Sequence, residues 1–171
     1  MSIFWKQFIS GFLIILLILF LFTFLVIGEL QKYDRSLTKE RLLTAATLAA
    51  DVLEPSIDKG NQPDIQRLVS GLGEKTGVRI TVIDPAGRVL GDSSRNPAEM
   101  ENHSNRPEIK DAIAKDFGES SRFSDTLRRE MLYVAIPYKG NGNNVSAVVR
   151  TSLPLTALEK TIHPIETKVI Y

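Results

Sequence analysis

From Phe8 through Gly28 the chain reads FISGFLIILLILFLFTFLVIG, a run without a single charged side chain. Its polar members, Ser10 and Thr23, can satisfy their hydroxyls on the carbonyls of their own helix. At a rise of about 1.5 Å per residue the run reaches across a hydrocarbon layer about 30 Å thick. A soluble core helix of this length would keep a polar face toward water, and none is present. The run is therefore expected to be a transmembrane helix.

A cleaved secretory signal is the competing reading. The apolar region of such a signal spans about 7–15 residues and ends in a small-residue cleavage pattern. The exit here, LVIGELQKYD, offers Val26 and Gly28 but no clear Ala-x-Ala, which favours a retained anchor. Either reading exports the residues beyond the run. Lys6 and the terminal amine precede it, while Glu29, Lys32, Asp34 and Arg35 form a nearly balanced cluster after it. This slight positive bias predicts residues 1–7 as a short cytoplasmic N-terminus, 8–28 as the span and the remainder as extracytoplasmic.

Lys6 is the one charged side chain before Glu29, so the 21 basic and 20 acidic residues of the chain leave the exported part with no formal net charge. A nucleic-acid-binding surface needs an excess of Lys and Arg, and nucleic acid is excluded as a partner on that ground. Cysteine is absent, which removes disulfides and thiolate metal sites. An anchored, cysteine-free chain with a domain-sized exported part fits a bacterial cell envelope.

Between Glu29 and Leu53 neither proline nor glycine interrupts the chain, and Leu42, Ala45, Ala46, Ala49, Val52 and Leu53 recur at helical spacing. Glu54-Pro55 is expected to close this helix, because the residue before proline is pushed out of the helical region. Leu30, Tyr33 and Leu37 form a lower stripe near the bilayer, available either to the domain itself or to a second copy. A second helix comes next, with Asn61 as N-cap, Pro63 in the first turn, Asp64 at N3, Ile65, Leu68, Val69 and Leu72 as its apolar side, and Gly73 or Gly77 as its stop.

The period then changes. Val78–Asp84 alternates as a strand, Asp84-Pro85-Ala86-Gly87 forms a turn, and Val89–Ser93 is the returning strand. After a polar loop, Asn105-Arg106-Pro107-Glu108 repeats the arrangement at Asn61 and starts a short helix with Ile109, Ala112 and Ile113 inward. Ser121–Leu127 is a candidate strand with Phe123 inward. Met131–Tyr138 is apolar on both faces and expected in the sheet interior. Gly140–Asn144 turns the chain into Val145–Leu153, and a helical segment, LTALEKTI, runs to His163-Pro164. The order predicts an α+β domain: one central antiparallel sheet with helices against a face, a long N-terminal helix and a transmembrane helix before it.

Several segments come in a recognisable order: GDS at 91–93, NHSNRPEIKDAI at 102–113, Gly118, RFSDTL at 122–127, MLYVAIPY at 131–138 and VVRTSLPL at 148–155. With the membrane helix leading into a long helix, they resemble the extracytoplasmic sensor domain of the bacterial phosphate-regulon sensor histidine kinase family, of the single Cache, PAS-like class. The resemblance covers about residues 1–163. It implies a sensor domain over residues 29–163, held between two membrane helices and paired with itself through its long helices. It also implies that residues 164–171 begin the linker to a second membrane helix. A histidine-containing dimerisation domain and an ATP-binding kinase domain would come after it, and a response regulator would be reached only through them. No phosphoacceptor helix or nucleotide-binding glycine motif occurs in the chain. It is expected to be a fragment or truncated product of a receptor, unable to phosphorylate anything itself.

No catalytic constellation, metal site or cofactor motif is found. His103 and His163 lie far apart, without cysteine or an HExxH pattern to support zinc. His103 is expected to fix its loop and His163 to end a helix. Asp84 and Asp92 flank the hairpin, where aspartates hold turn amides. The two N-x-S triplets, at Asn102 and Asn144, carry no meaning in a bacterial protein. Binding is the better prospect. In the class resembled, a small pocket lies between the sheet and the loop-helix segment over it, here residues 92–113. Arg106, Arg122, Tyr133 and Arg150 are the candidate ligand-binding residues, since arginine beside helix-start amides suits a carboxylate or phosphate group. The alternative is that Arg106 pairs with Asp92 or Glu108 and locks the loop. Nothing in the residues selects phosphate itself.

Two functional classes are in contention. The favoured one is the input region of a two-component sensor kinase, taking a small-molecule or envelope ligand, with the lipid bilayer and a second copy of itself as partners. The other is a stand-alone anchored envelope protein that binds a ligand or partner without signalling. A third variant keeps the receptor and changes its output to chemotaxis signalling or cyclic-dinucleotide synthesis.

Overall fold

The computed structural model describes residues 3–124, 129–140 and 142–155. The predicted segment 156–162, His163, the linker at 164–171 and the end of RFSDTL lie outside the described residues. Contacts divide the chain into two units, Met1–Ser36 and Leu37–Tyr171. The helix α1, Ile3–Asp58, contributes to both.

In the first unit, the apolar side chains from Phe8 to Ile27 are exposed almost without exception, and the helix is long and apolar enough to cross a membrane. Ser10 Oγ donates to the Gln7 carbonyl at 2.9 Å and Thr23 Oγ1 to the Leu19 carbonyl at 2.8 Å. No hydroxyl in the run is left to compete for water. Leu30 and Tyr33 are also exposed.

The second unit is built on a five-stranded antiparallel sheet in the order β2-β1-β5-β4-β3. Its strands are β1 (Arg79–Ile83), β2 (Val89–Asp92), β3 (Gly118–Ser124), β4 (Arg129–Tyr138) and β5 (Ala147–Pro154). MLYVAIPY lies in β4, an interior strand as expected, although β5 holds the middle. Each face of the sheet has its own cover. Leu42, Ala46, Ala49 and Leu53 of α1 pack with Ile65 and Val69 of α2 (Gln62–Thr76) against Ile80, Val82, Leu132, Val134 and Val149. On the other face Ile109 and Ala112 of α3 (Pro107–Lys115) meet Ile83, Val89, Ala135 and Val148. The helices expected against a face of the sheet are thus found on both faces. The period-2 alternation of β4 and β5 makes both faces apolar, and both require burial.

The local signals of α2 act as read. Asn61 accepts from the Asp64 amide, Pro63 sits in the first turn, and Gly77 takes the left-handed conformation at φ 66° to end the helix. Glu54-Pro55 does not end α1, which runs on to Asp58. Pro55 removes the hydrogen bond to the Asp51 carbonyl on the solvent side, where both residues are exposed. The next two residues, Ser56 and Ile57, are buried, and Ser56 Oγ donates to Asp64. That packing sustains the extra turn.

Three inward assignments are also corrected. Val52 and Ile113 are exposed, because each lies on the outer edge of its helix, a third of a turn from the buried stripe. Phe123 is 58% exposed. It sits near the end of β3, the edge strand, opposite Glu130, where no helix covers the sheet.

Candidate ligand cleft

Strand register decides which polar side chains meet. Arg79 stands opposite Ser152, Thr81 opposite Arg150 and Asp92 opposite Thr81. Tyr133 stands opposite both Ser152 and Ser120, and Arg122 opposite Met131. Directly paired residues share a face, so a polar field spreads across all five strands on the α3 side of the sheet. The loop 93–106 and the C-terminal half of α2 rise beside it. Between them lies a cleft of about 1090 Å³.

Glu108 anchors the field. This carboxylate is fully buried, accepting from Ser120 Oγ at 2.6 Å, Arg122 Nη1 at 3.0 Å, Arg122 Nη2 at 3.2 Å and Arg150 Nη1 at 3.2 Å. Burial pushes the Glu108 carboxyl upward, but the Ser120 hydroxyl and the Arg150 and Arg122 cations outweigh it and hold it below the usual carboxylate range. A second ion pair lies on β1 and β2. Asp92 accepts from Arg79, at 3.1 Å for Nη2, and from Thr81 Oγ1 at 2.8 Å. Its other oxygen takes the Ser94 and Arg95 amides at 2.8 and 3.0 Å, which fixes the start of the loop. Arg150 Nη2 reaches Thr81 Oγ1 at 3.2 Å and joins the two carboxylate groups.

Tyr133 presents its ring to both inner guanidiniums. Arg122 Cζ lies 3.9 Å and Arg150 Cζ 5.3 Å from its centroid. Burial lowers the Arg150 pKa to about 10, with Arg79 and Arg122 adding to the shift and Glu108 opposing it, so Arg150 remains a cation at neutral pH.

All four candidate residues line the cleft, but their environments differ. Arg122, Tyr133 and Arg150 form one contact group on the floor. Arg106 stands at the mouth, 4.0 Å from Glu101 and partly exposed. The alternative pairing of Arg106 with Asp92 or Glu108 is not formed, because both carboxylates are occupied by arginines from the sheet. Arg106 also caps α3 through its backbone alone, with no side-chain hydrogen bond, unlike Asn61 on α2. His103 is held by its Nδ1 on the Glu101 carbonyl at 2.7 Å and by its amide on the Gly87 carbonyl at 2.7 Å. Burial and the Arg150 charge lower its pKa, against the Glu101 hydrogen bond. It fixes the loop and also faces the cleft. Asp84 accepts from the Arg88 amide at 2.8 Å, a turn role as read.

Sequence reasoning missed Arg79 and Ser152, and named Glu108 only as a possible partner of Arg106. A signal existed for Arg79, since the polar side of β1 needs somewhere to point. Glu108 gave none, because a glutamate in a first helical turn is ordinarily a solvated cap residue. Among the described residues no cluster of His, Asp or Glu could hold a metal ion.

Comparison with known proteins bears on what such a cleft is for. A protein-family profile described as Single Cache-like matches residues 31–152. Comparison with curated protein sequences gives no match. Among solved structures, the E. coli DcuS sensor domain superposes with TM-score 0.56 at 18% identity, over 74% of this chain and 98% of that one. The ligand-binding domain of the Campylobacter jejuni chemoreceptor Tlp3, in complex with 4-methylisoleucine, gives TM-score 0.55 at 12% identity, over 74% and 56%. The V. cholerae histidine kinase DctB sensor domain gives 0.51 at 20% identity, over 79% and 52%. The chain thus spans little more than half of the Tlp3 and DctB domains. At these identities the likeness is one of fold.

Proposed function

The chain belongs to the Single Cache-like family, and from that premise we propose that it is the signal-sensing input region of a membrane-bound receptor, binding a small molecule in the cleft beside the 93–106 loop. The observation that carries this reading is the floor of the cleft. Arg79, Arg122, Tyr133 and Arg150 gather there from four strands, beside the C-terminal half of α2, whose Ser70, Gly73 and Glu74 line one wall. A purely structural ion-pair network would be served as well by a closed, water-free contact. Here the network borders a cavity of small-molecule size.

The output we assign is a histidine kinase of a two-component system, reached through membrane helices. DctB, a histidine kinase, and the Tlp3 chemoreceptor share this fold. The order of segments from GDS to VVRTSLPL favours the phosphate-regulon branch of the kinases. That branch does not identify the ligand, and inorganic phosphate has no special claim on this cleft. The run at 8–28 anchors the receptor with its N-terminus inside and the sensor domain outside, and Leu30, Tyr33 and Leu37 pair two copies in parallel.

The test is a thermal-shift screen of the full chain in detergent micelles against small polar metabolites. A hit that protects the native chain and fails to protect Tyr133→Ala supports cleft binding. Hits of equal strength on both would place the ligand elsewhere and overturn it.

A further inference from the structure

Two polar atoms on the floor of the cleft have no hydrogen-bond partner among the described residues, and both are on β5. They are Arg150 Nε and Ser152 Oγ. Each residue is only 2% exposed, so bulk water does not satisfy them. Arg150 spends Nη1 on Glu108 and Nη2 on Thr81, which leaves its Nε–H as a charged donor without an acceptor. Residues two apart on a strand project from the same face, their Cα atoms about 7 Å apart. The two residues therefore project from the same face and border the same cleft.

The surrounding charge says what kind of atom belongs there. Ser152 has Arg79 opposite it on one side and Tyr133 on the other, and the guanidiniums of Arg122 and Arg150 lie over the Tyr133 ring. Three arginines thus share two carboxylates, Asp92 and Glu108. Among these five side chains one positive charge is left over. A water molecule could accept both hydrogen bonds but would leave that charge standing. A neutral carbonyl would do the same.

We infer that Arg150 Nε and Ser152 Oγ form an oxyanion seat, and that the ligand of this receptor presents to it an anionic oxygen group, a carboxylate or a phosphate ester. Arg79 and Arg122 flank the group without leaving their own carboxylates. The remainder of the ligand extends toward Arg106 and His103 at the mouth. This assignment rests on the cleft-binding reading above and narrows it to a chemical class.

The experiment is arginine side-chain NMR on the full chain in micelles, with Arg150→Lys identifying the Arg150 Nε–H resonance by its loss. Acetate and inorganic phosphate are titrated separately, with acetamide as the neutral control. A saturable shift of that resonance with acetate or phosphate, and none with acetamide, is the expected result. The anion that acts decides between carboxylate and phosphate. Ser152→Ala, a small change that retains the fold, should weaken the effective anion roughly tenfold, the worth of one hydrogen bond to a charged group. A resonance unmoved by both anions, or moved equally in Ser152→Ala, overturns the seat. Failure of the broader reading looks different, because then no compound of any charge protects the chain through the cleft. Protection by uncharged compounds alone removes the seat and leaves cleft binding standing.

Discussion

Glu108 on α3 and Arg150 on β5 meet at 3.2 Å with both side chains almost wholly buried. The pair ties α3 to the middle strand of the sheet. Glu108 also holds Arg122 of the edge strand, so a single carboxylate gathers three elements around the proposed ligand.

Replacing Glu108 by Gln leaves two guanidiniums facing a neutral amide in a buried site. Removing one partner of a buried pair costs about 3–5 kcal/mol, and Glu108→Gln should lose an amount in that range. Pulse proteolysis across a urea series measures it on the anchored chain. Tryptophan fluorescence would not serve, since the single tryptophan is Trp5, in the N-terminal unit. Arg122→Gln, whose side chain is 28% exposed, should cost clearly less.

Acid should act in two stages. His103 titrates below its ordinary 6.5 in the folded chain, and Glu108 below its ordinary 4.5. For both, the unfolded chain binds the proton more tightly, so stability is full above the unfolded value and is lost as pH falls through the folded one. A mild decline should begin below 6.5 and a steeper one below 4.5. In His103→Gln the first stage should vanish while the second remains, as followed by thermal melting of the near-ultraviolet tyrosine signal.

Gly118 marks the closest approach of β3 to α3. A Cβ built there falls 1.8 Å from the Glu108 carbonyl oxygen, a backbone atom that cannot swing away. Gly118→Ala should therefore destabilise by about 3 kcal/mol or more and loosen the cleft together with the fold. Gly71 is the control. It lies in α2 with nothing within 4 Å of its added Cβ, and Gly71→Ala should stabilise by about 0.5–1 kcal/mol. Urea midpoints of the two variants should move in opposite directions.

Self-association is expected from the lower stripe of α1. Leu30, Tyr33 and Leu37 are 51%, 62% and 47% exposed. Each leucine buried against a second copy would contribute about 1.5–3 kcal/mol. Cysteine placed singly at positions 30–40 and mildly oxidised in membranes should crosslink with maxima near 30, 33 or 34, and 37. Uniformly low crosslinking in correctly inserted chains would remove the homodimer.

What the sequence determined alone was whatever depends on neighbours in the chain. The uncharged run at 8–28, the Asn61 and Gly77 caps of α2, the turn at Asp84–Gly87 and the two-faced strand at 131–138 all rest on interactions within a few residues. Those interactions stand in whatever fold surrounds them. The resemblance carried by short segments added the class of domain and the face on which to look for a pocket.

The tertiary structure decided the rest. Pro55 stays helical because Ser56 and Ile57 find partners, and Phe123 faces water because β3 is an edge. Glu108, which reads as a cap residue, becomes the buried centre of the site through Arg122 and Arg150, 14 and 42 positions away. Those contacts exist only because β5 pairs with β1 and β4 in one register. A slip by a single residue would turn Arg150 and Ser152 to the opposite face, against α1 and α2. Local propensity is blind to that choice. It is settled by the simultaneous burial of two apolar faces, which only the assembled sheet can provide.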